Sequence, residues 1–263
     1  MSDRMRILDS LLQALEPMGE VIACWEAGSK ATGRLDQYSD LDLQLLVEDG
    51  AVDAVRRAAE QALQRLAPFA KRYELPRPSW HGHWQAFYQL QGFDPLLLVD
   101  LVIMERKAPA RFLEPEIHGV PTVYFDKEGQ IKSVPTDAAA FAEKLSLRLP
   151  ALEEPMELFH PFVEKELRRG REIDAIVFYQ SFVVNRLVEA LRMRYSPWRY
   201  NFGARYLQYD LPPAVYARVR ELYFVAGPAE LAERKAAALA WLRETLAELK
   251  TLDFVSLLED ARR

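Results

Sequence analysis

Cysteine is almost missing from this chain, with Cys24 alone among 263 residues. A lone cysteine excludes an intrachain disulfide and any zinc site assembled from several thiolates. Its place in the apolar run Val21-Ile22-Ala23-Cys24-Trp25 marks it as a packed core residue. No apolar stretch approaches the roughly 18 residues that a membrane span requires. The first twenty residues form an amphipathic stretch with scattered charges, which is not the pattern of a secretory signal. A cytoplasmic protein with no membrane partner is therefore expected. A basic excess is missing too. Lys and Arg number 34 against 39 Asp and Glu, a formal net charge of −5, so nucleic acid is not an expected partner. That balance still allows a small local basic pocket. Internal repeats and low-complexity tracts do not occur.

What is present has ordinary globular composition, 50 % hydrophobic and 28 % charged, enough to bury a core in one large domain or two modest ones. Ile7, Leu8, Leu11, Leu12 and Leu15 recur at the helical period, and Pro17 and Gly19 end that helix. Val21 to Trp25 suits a short buried strand. From Asp40, the run DLDLQLLV alternates polar residues with leucine at the period of a half-buried strand. Ala51 to Leu66 reads as a second amphipathic helix. Trp84 to Leu90 and Leu96 to Ile103 read as strands joined by a turn through Gly92, Asp94 and Pro95, and Val120 to Phe125 as a last short strand. Beyond about Thr136 strand-like runs stop. Helical patterns follow at Phe159 to Arg169, Ile173 to Arg194, Pro213 to Val225 and Ala229 to Lys250. The expected chain is α+β, with an α/β domain over 1–134 and an all-helical domain over 135–263, the boundary lying near Lys132 to Thr136.

Chemistry concentrates in one segment, Gly28-Ser29-Lys30-Ala31-Thr32-Gly33 followed, after five residues, by Ser39-Asp40-Leu41-Asp42-Leu43. On a strand Asp40 and Asp42 project to one face, while Leu41, Leu43 and Leu45 point into a core. Two carboxylates so placed repel each other unless a cation sits between them. Hard oxygen ligands of this kind suit magnesium, which keeps several waters and bridges to phosphates. A third carboxylate, Asp100, stands in Leu97-Leu98-Val99-Asp100-Leu101-Val102-Ile103. Burial there costs several kcal/mol in order of magnitude unless a partner compensates it, and a metal shared with Asp40 and Asp42 would do so; a buried ion pair with an arginine is the competing reading. Glycine at 28 permits close backbone approach to a ligand, and the following N–H groups with the Ser29 hydroxyl could meet phosphate oxygens. A phosphate cradle facing a magnesium cluster serves in-line displacement at phosphorus.

With Gly28-Ser29, Asp40-Leu41-Asp42-Leu43 and the later Asp100 in order, the segment resembles the signature of the DNA polymerase β-type nucleotidyltransferase superfamily. Ala31, Gly33, Ser39 and Leu43 meet the fuller form common among bacterial members, over roughly residues 20 to 105. Thr32 departs from it, standing where many members carry arginine, with Lys30 and Arg34 nearby as replacements for a phosphate contact. The resemblance implies a mixed β-sheet flanked by helices and ATP or another nucleoside triphosphate as donor. It implies Asp40 and Asp42 as ligands of the nucleotide-bound Mg2+. Asp100 would help bind a second metal or deprotonate the acceptor hydroxyl, and Gly28 and Ser29 would hold the β- and γ-phosphates. The pairing of a small catalytic domain with a helical half resembles the aminoglycoside and lincosamide nucleotidyltransferases, which implies adenylyl transfer to a small-molecule acceptor with release of pyrophosphate.

Three other functions compete. A protein-adenylylating enzyme would more often be a minimal catalytic domain. An RNA acceptor would call for a basic channel that the composition does not advertise. A non-catalytic nucleotide-binding module would be expected to lack a carboxylate, and all three are present. A homodimer whose second copy completes the acceptor pocket is compatible with the sequence. His81 and His83 have a chelating spacing but no accompanying carboxylate or cysteine, and are read as a loop near the mouth of the site. The aromatic and arginine-rich run Tyr195 to Tyr206 is read as a packed connection between helices, and the charges from Glu164 to Arg171 as a solvated helix face, with Glu164 or Glu166 the alternatives for a general base.

Overall fold

A computed structural model describes residues 1–108 and 110–262, and all that follows concerns those residues. The fold is α+β. The chain divides into two compact units, Met1–Pro135 and Thr136 onward.

The first unit is a mixed sheet with helices on one face. Helix α1 (Asp3–Leu15) is capped by Ser2, whose hydroxyl accepts from the N–H of Met5 at 3.3 Å, and it buries Ile7, Leu8, Leu11 and Leu15. Strand β1 (Val21–Glu26) is buried throughout. A single helical turn, α2 (Gly28–Ala31), leads through a polar loop to β2 (Leu41–Val47). Helix α3 (Val52–Leu66) then precedes β3 (Phe69–Glu74), β4 (Trp84–Leu90) and β5 (Val99–Glu105). A short helix α4 (Pro115–His118) and β6 (Thr122–Asp126) finish the unit. The strand order is β3-β4-β5-β2-β1-β6. Among the described strands β2 and β5 form the parallel pair, and every other neighbouring pair is antiparallel.

Alternation along the strands sorts the two faces. Leu41, Leu43, Leu45 and Val47 of β2, Val99, Leu101 and Ile103 of β5, and Trp84, Ala86, Tyr88 and Leu90 of β4 form one core with the inner residues of α1 and α3. Cys24 belongs to it, and burial pushes its thiol far above the ordinary range. Buried apolar area contributes about 25 cal/mol per Å², so this leucine-rich layer fixes the register of every strand it touches. The opposite face carries a smaller core of Ile22, Trp25, Leu46, Val102, Met104 and Leu113. Strand β3 has no counterpart in the sequence pattern. Lys71 and Arg72 sit on an exposed sheet edge, where charge discourages pairing with another chain.

The second unit is helical: α5 (Ala138–Phe159), α6 (Pro161–Arg168), α7 (Glu172–Tyr179), α8 (Asn185–Tyr195), α9 (Leu207–Asp210), α10 (Pro213–Tyr223), α11 (Pro228–Leu249) and α12 (Phe254–Asp260). Helix α5 includes Pro150 and Pro155, yet Phe141, Leu145, Leu149, Leu152 and Met156 keep a buried face through both prolines. A π-helical turn, Gln180–Val184, interrupts the expected helix from Ile173 to Arg194. The solvated face expected around Glu164 to Arg171 needs correction at Glu166, which is buried and ion-paired with Arg169 at 2.7 Å and Arg171 at 3.4 Å. The run from Tyr195 to Tyr206 is a packed connection. Trp198 is buried and donates to the Leu258 carbonyl at 3.0 Å, and the fully buried Arg192 is ion-paired with Asp210 at 2.8 Å. Arg192 also donates to the carbonyls of Gly203, Arg199 and Arg205. Among the described residues no helix is long and apolar enough to cross a membrane.

Candidate active site

Asp42 and Asp100 are register partners on the parallel pair, so their side chains leave the same sheet face side by side. Neighbouring strands run about 4.8 Å apart, which sets the spacing of the two Cβ positions. Leucine packing on the other face holds both in place, since a slip of one residue would bury the aspartates and expose the leucines. Asp40 lies just before β2. Its Oδ1 accepts from the backbone N–H of Leu98 at 3.1 Å, and Leu41 N–H donates to Leu98 carbonyl at 2.9 Å. Asp40 thus ties the start of β2 to the approach to β5.

Gly28 and Ser29 meet this pair from β1, which ends at the same edge. Gly28 has φ +56°, and a Cβ built there would lie 1.8 Å from Asp42 Oδ2. The Asp42 carboxylate therefore lies directly against the Gly28 backbone, and glycine is required both for the left-handed conformation and for that approach. The Ala27 N–H donates to the Asp42 carbonyl at 3.0 Å. Ser29 Oγ is buried with no hydrogen-bond partner, as are Gln44 Oε1 and Trp25 Nε1 on neighbouring strand positions. An unmade buried hydrogen bond costs about 1–3 kcal/mol. Ser29 directly follows Gly28, whose backbone lies against Asp42, so this unmade hydrogen bond belongs to the same turn.

The turn is braced from two sides. Arg4 of α1 is ion-paired with the fully buried Glu26 at the end of β1, and Tyr124 also donates to Glu26. The Arg4 Nε–H reaches the Asp40 carbonyl at 3.4 Å. From α4, Gly119 packs so closely that a Cβ there would lie 2.4 Å from the Ala31 carbonyl oxygen, and Val120 N–H donates to that oxygen at 2.9 Å. Within the polar loop, Asp36 Oδ1 accepts from Tyr38 N–H at 3.0 Å and from the Ser39 hydroxyl at 2.9 Å.

Burial pushes the Asp100 carboxyl up to about 7, and the charges of Asp42 and Asp40 add to that rise. A hydrogen bond from Gln85 Nε2 to Asp100 Oδ1, 2.7 Å long, opposes it. Burial is the larger cause of the rise and the neighbouring carboxylates the smaller one. An all-oxygen, strongly negative donor set fits magnesium in kind. Among the described residues no three His, Cys, Asp or Glu side chains converge as a ready-made metal cluster. Asp42 and Asp100 form the facing pair, and Asp40 is turned toward Leu98.

The two histidines sit over this same face. His81 Nε2 lies 2.9 Å from Gln85 Oε1, so the loop holding His81 and His83 reaches Asp100 through one side chain. Phe112 stands edge-on to both imidazoles, with centroids 6.1 and 5.5 Å away. It does so from a left-handed backbone (φ +55°), which costs a non-glycine residue about 1–2 kcal/mol. Gln85, Gly119, Arg4 and Glu26 had not been singled out in the sequence. The alternation of β4 could have placed Gln85 on the polar face, whereas nothing local marks the other three.

No protein-family profile and no curated protein matches this chain. Among solved structures it is similar to an aminoglycoside 6-adenyltransferase from Bacillus subtilis, at 13 % identity and a TM-score of 0.39, over 99 % of this chain and 97 % of that one. It is also similar to a spectinomycin adenyltransferase from Enterococcus faecialis, crystallised with ATP and spectinomycin. That match has 11 % identity and a TM-score of 0.31, over 95 % of this chain and 99 % of the other. The bearing on function comes from the carboxylate pair and its glycine-serine turn.

Proposed function

We propose that this protein is a nucleotidyltransferase that moves a nucleoside monophosphate, AMP from ATP as the first choice, onto a hydroxyl of a small-molecule acceptor resembling an aminoglycoside or lincosamide. The observation that carries the reading is the facing pair of Asp42 and Asp100, with the Gly28 backbone against Asp42 and an unsatisfied Ser29 hydroxyl beside it. The unit Met1–Pro135 would be the catalytic domain. Asp42 and Asp100 would hold Mg2+, with Asp40 joining them by turning from the Leu98 N–H, and the ion when bound would supply charge neutralisation for the triphosphate and for the oxygens of the displacement.

The protein's own groups account for the remaining steps. Ser29 Oγ and the backbone N–H groups of Ser29 and Lys30 bind phosphate oxygens, which fills the unmade hydrogen bond at Ser29. Asp42 orients the triphosphate against Gly28. Asp100, held by Gln85 on the same strand face as Asp42, is placed to accept the proton of the acceptor hydroxyl. The acceptor oxygen forms a bond to the α-phosphorus, the bond from that phosphorus to the bridging oxygen breaks, and pyrophosphate leaves.

The test is a panel of magnesium with labelled ATP, GTP, CTP or UTP against aminoglycosides, lincosamides and candidate proteins, scored by pyrophosphate release and labelled product. Wild type should label at least one small molecule, and Asp42→Asn should lose about 100-fold or more. Labelling confined to proteins would replace the small-molecule reading. Unchanged magnesium-dependent triphosphate binding in Asp42→Asn would remove the metal assignment.

A further inference from the structure

Asp100 is joined to the His81 loop by a chain of hydrogen bonds. The Ser79 hydroxyl donates to the His83 carbonyl at 2.6 Å, and its oxygen also lies 3.3 Å from His81 Nδ1. The His83 backbone N–H donates to His81 Nδ1 at 3.1 Å, which requires a lone pair there and places the ring proton on Nε2. Nε2–H then faces Gln85 Oε1 at 2.9 Å. The amide nitrogen of Gln85 is left to donate to Asp100 Oδ1 at 2.7 Å. With Asp100 ionised, turning the Gln85 amide around would set its oxygen against the carboxylate. Packing holds the rings as well: His83 stacks on His81 with centroids 5.2 Å apart, and Trp80 meets His81 edge-on at 4.9 Å.

We propose that His81 and Gln85 are positioning residues for Asp100. The loop backbone sets the His81 tautomer, the tautomer sets which end of the Gln85 amide faces the carboxylate, and the amide fixes Oδ1. Oδ2 is left for the metal and the acceptor hydroxyl. The inference rests on the reading of Asp100 as part of a nucleotidyl-transfer site. Strand geometry supports it, because Gln85 pairs with Val102 and so stands diagonal to Asp100 on the same face. The chemistry of the donor supports it too. An arginine or lysine at that position would neutralise Asp100 and compete with a cation, whereas a neutral amide orients the carboxylate without cancelling its charge.

The experiment uses the full chain, stripped of metal, with Mn2+ as the probe. Long-range proton–nitrogen correlation of the His81 ring should show one tautomer, protonated on Nε2. Gln85→Leu and His81→Leu should each weaken Mn2+ binding about 10- to 100-fold and lower kcat in step. His81→Gln, which keeps a donor near the Nε2 position, should recover both to within a few-fold. A His81 protonated on Nδ1, or Mn2+ affinity unchanged in either leucine variant, overturns the proposal. Should a leucine variant fail to fold, the tautomer in the unaltered protein and the His81→Gln affinity decide the matter. Absence of transfer to every acceptor, with the tautomer and Mn2+ results as expected, would remove the acceptor reading and leave this one standing. A wild type that binds no Mn2+ would remove both.

Discussion

A methyl group at residue 28 would occupy space that the Asp42 carboxylate already fills. Gly28→Ala is therefore expected to displace Asp42 rather than merely stiffen the turn. A shift of about 1 Å in a reacting group can cost about 100-fold in rate, and a loss of that order in turnover is the expected outcome; wild-type turnover would show that Asp42 tolerates the move. Asp100 gives a prediction about pH. Its carboxyl lies near 7 in the fold against an ordinary 3.8, so the native protein keeps a proton that the unfolded chain has released. Stability associated with this group is fully present below about pH 4, falls as pH rises toward 7, and is level above that. In metal-free protein Asp100→Asn should melt with wild type near pH 4 and progressively above it as the pH approaches 7. The gap should then stay constant. Melting curves taken in chelator across that range check it, and a gap that narrows with rising pH would contradict the assignment. Asp40, Asp42 and Asp100 could be picked from the sequence because carboxylates in leucine-rich strands break an otherwise apolar pattern. The contact of Gln85 with both Asp100 and His81 could not, because it arises from a diagonal across two strands and from a loop folded back toward them.

Elements were legible where period and burial agreed. β4 alternates cleanly, so its extent and faces could be anticipated almost to the residue, and β2 to within one residue although it is buried on both faces beyond Asp42. β3 could not, because its side chains are mostly exposed and its pairing with β4 is made by the backbone. The prolines of α5 hid a helix whose buried positions were otherwise in register. Arg192 shows what a locally unremarkable residue can organise. Fully buried on α8, it holds Asp210 and three backbone carbonyls of the connection that follows. Arg192→Met keeps the volume but leaves a buried carboxylate and those carbonyls short of donors. Breaking one side of a buried pair costs about 3–5 kcal/mol, and a fall of that size in denaturant-derived stability is expected. A loss under about 1 kcal/mol would mean that Arg199, 3.1 Å from Asp210, suffices alone.

At the scale of the whole molecule, the chain is two compact units joined by an exposed stretch from Lys132 to Pro135. Exposed connections between compact units are where proteases cut first. Limited trypsin treatment is expected to cleave after Lys132 before other sites and to yield two resistant fragments, read by intact mass; early cleavage elsewhere would place the weakest connection within a unit. The parallel pairing of β2 with β5 also governs when the protein becomes competent. Asp40 and Leu98, which join the two strands at their start, are 58 residues apart in the chain. Hairpins such as β4 with β5 can form from nearby sequence, but β5 must also close that long loop to lie beside β2. Contacts of wide sequence separation are slow to form because loop entropy is lost before they reward it. The carboxylates therefore come together only when this long-range pairing is made. A chain still short of that step holds Asp42 and Asp100 apart, so their juxtaposition arrives with the completed sheet and not before it.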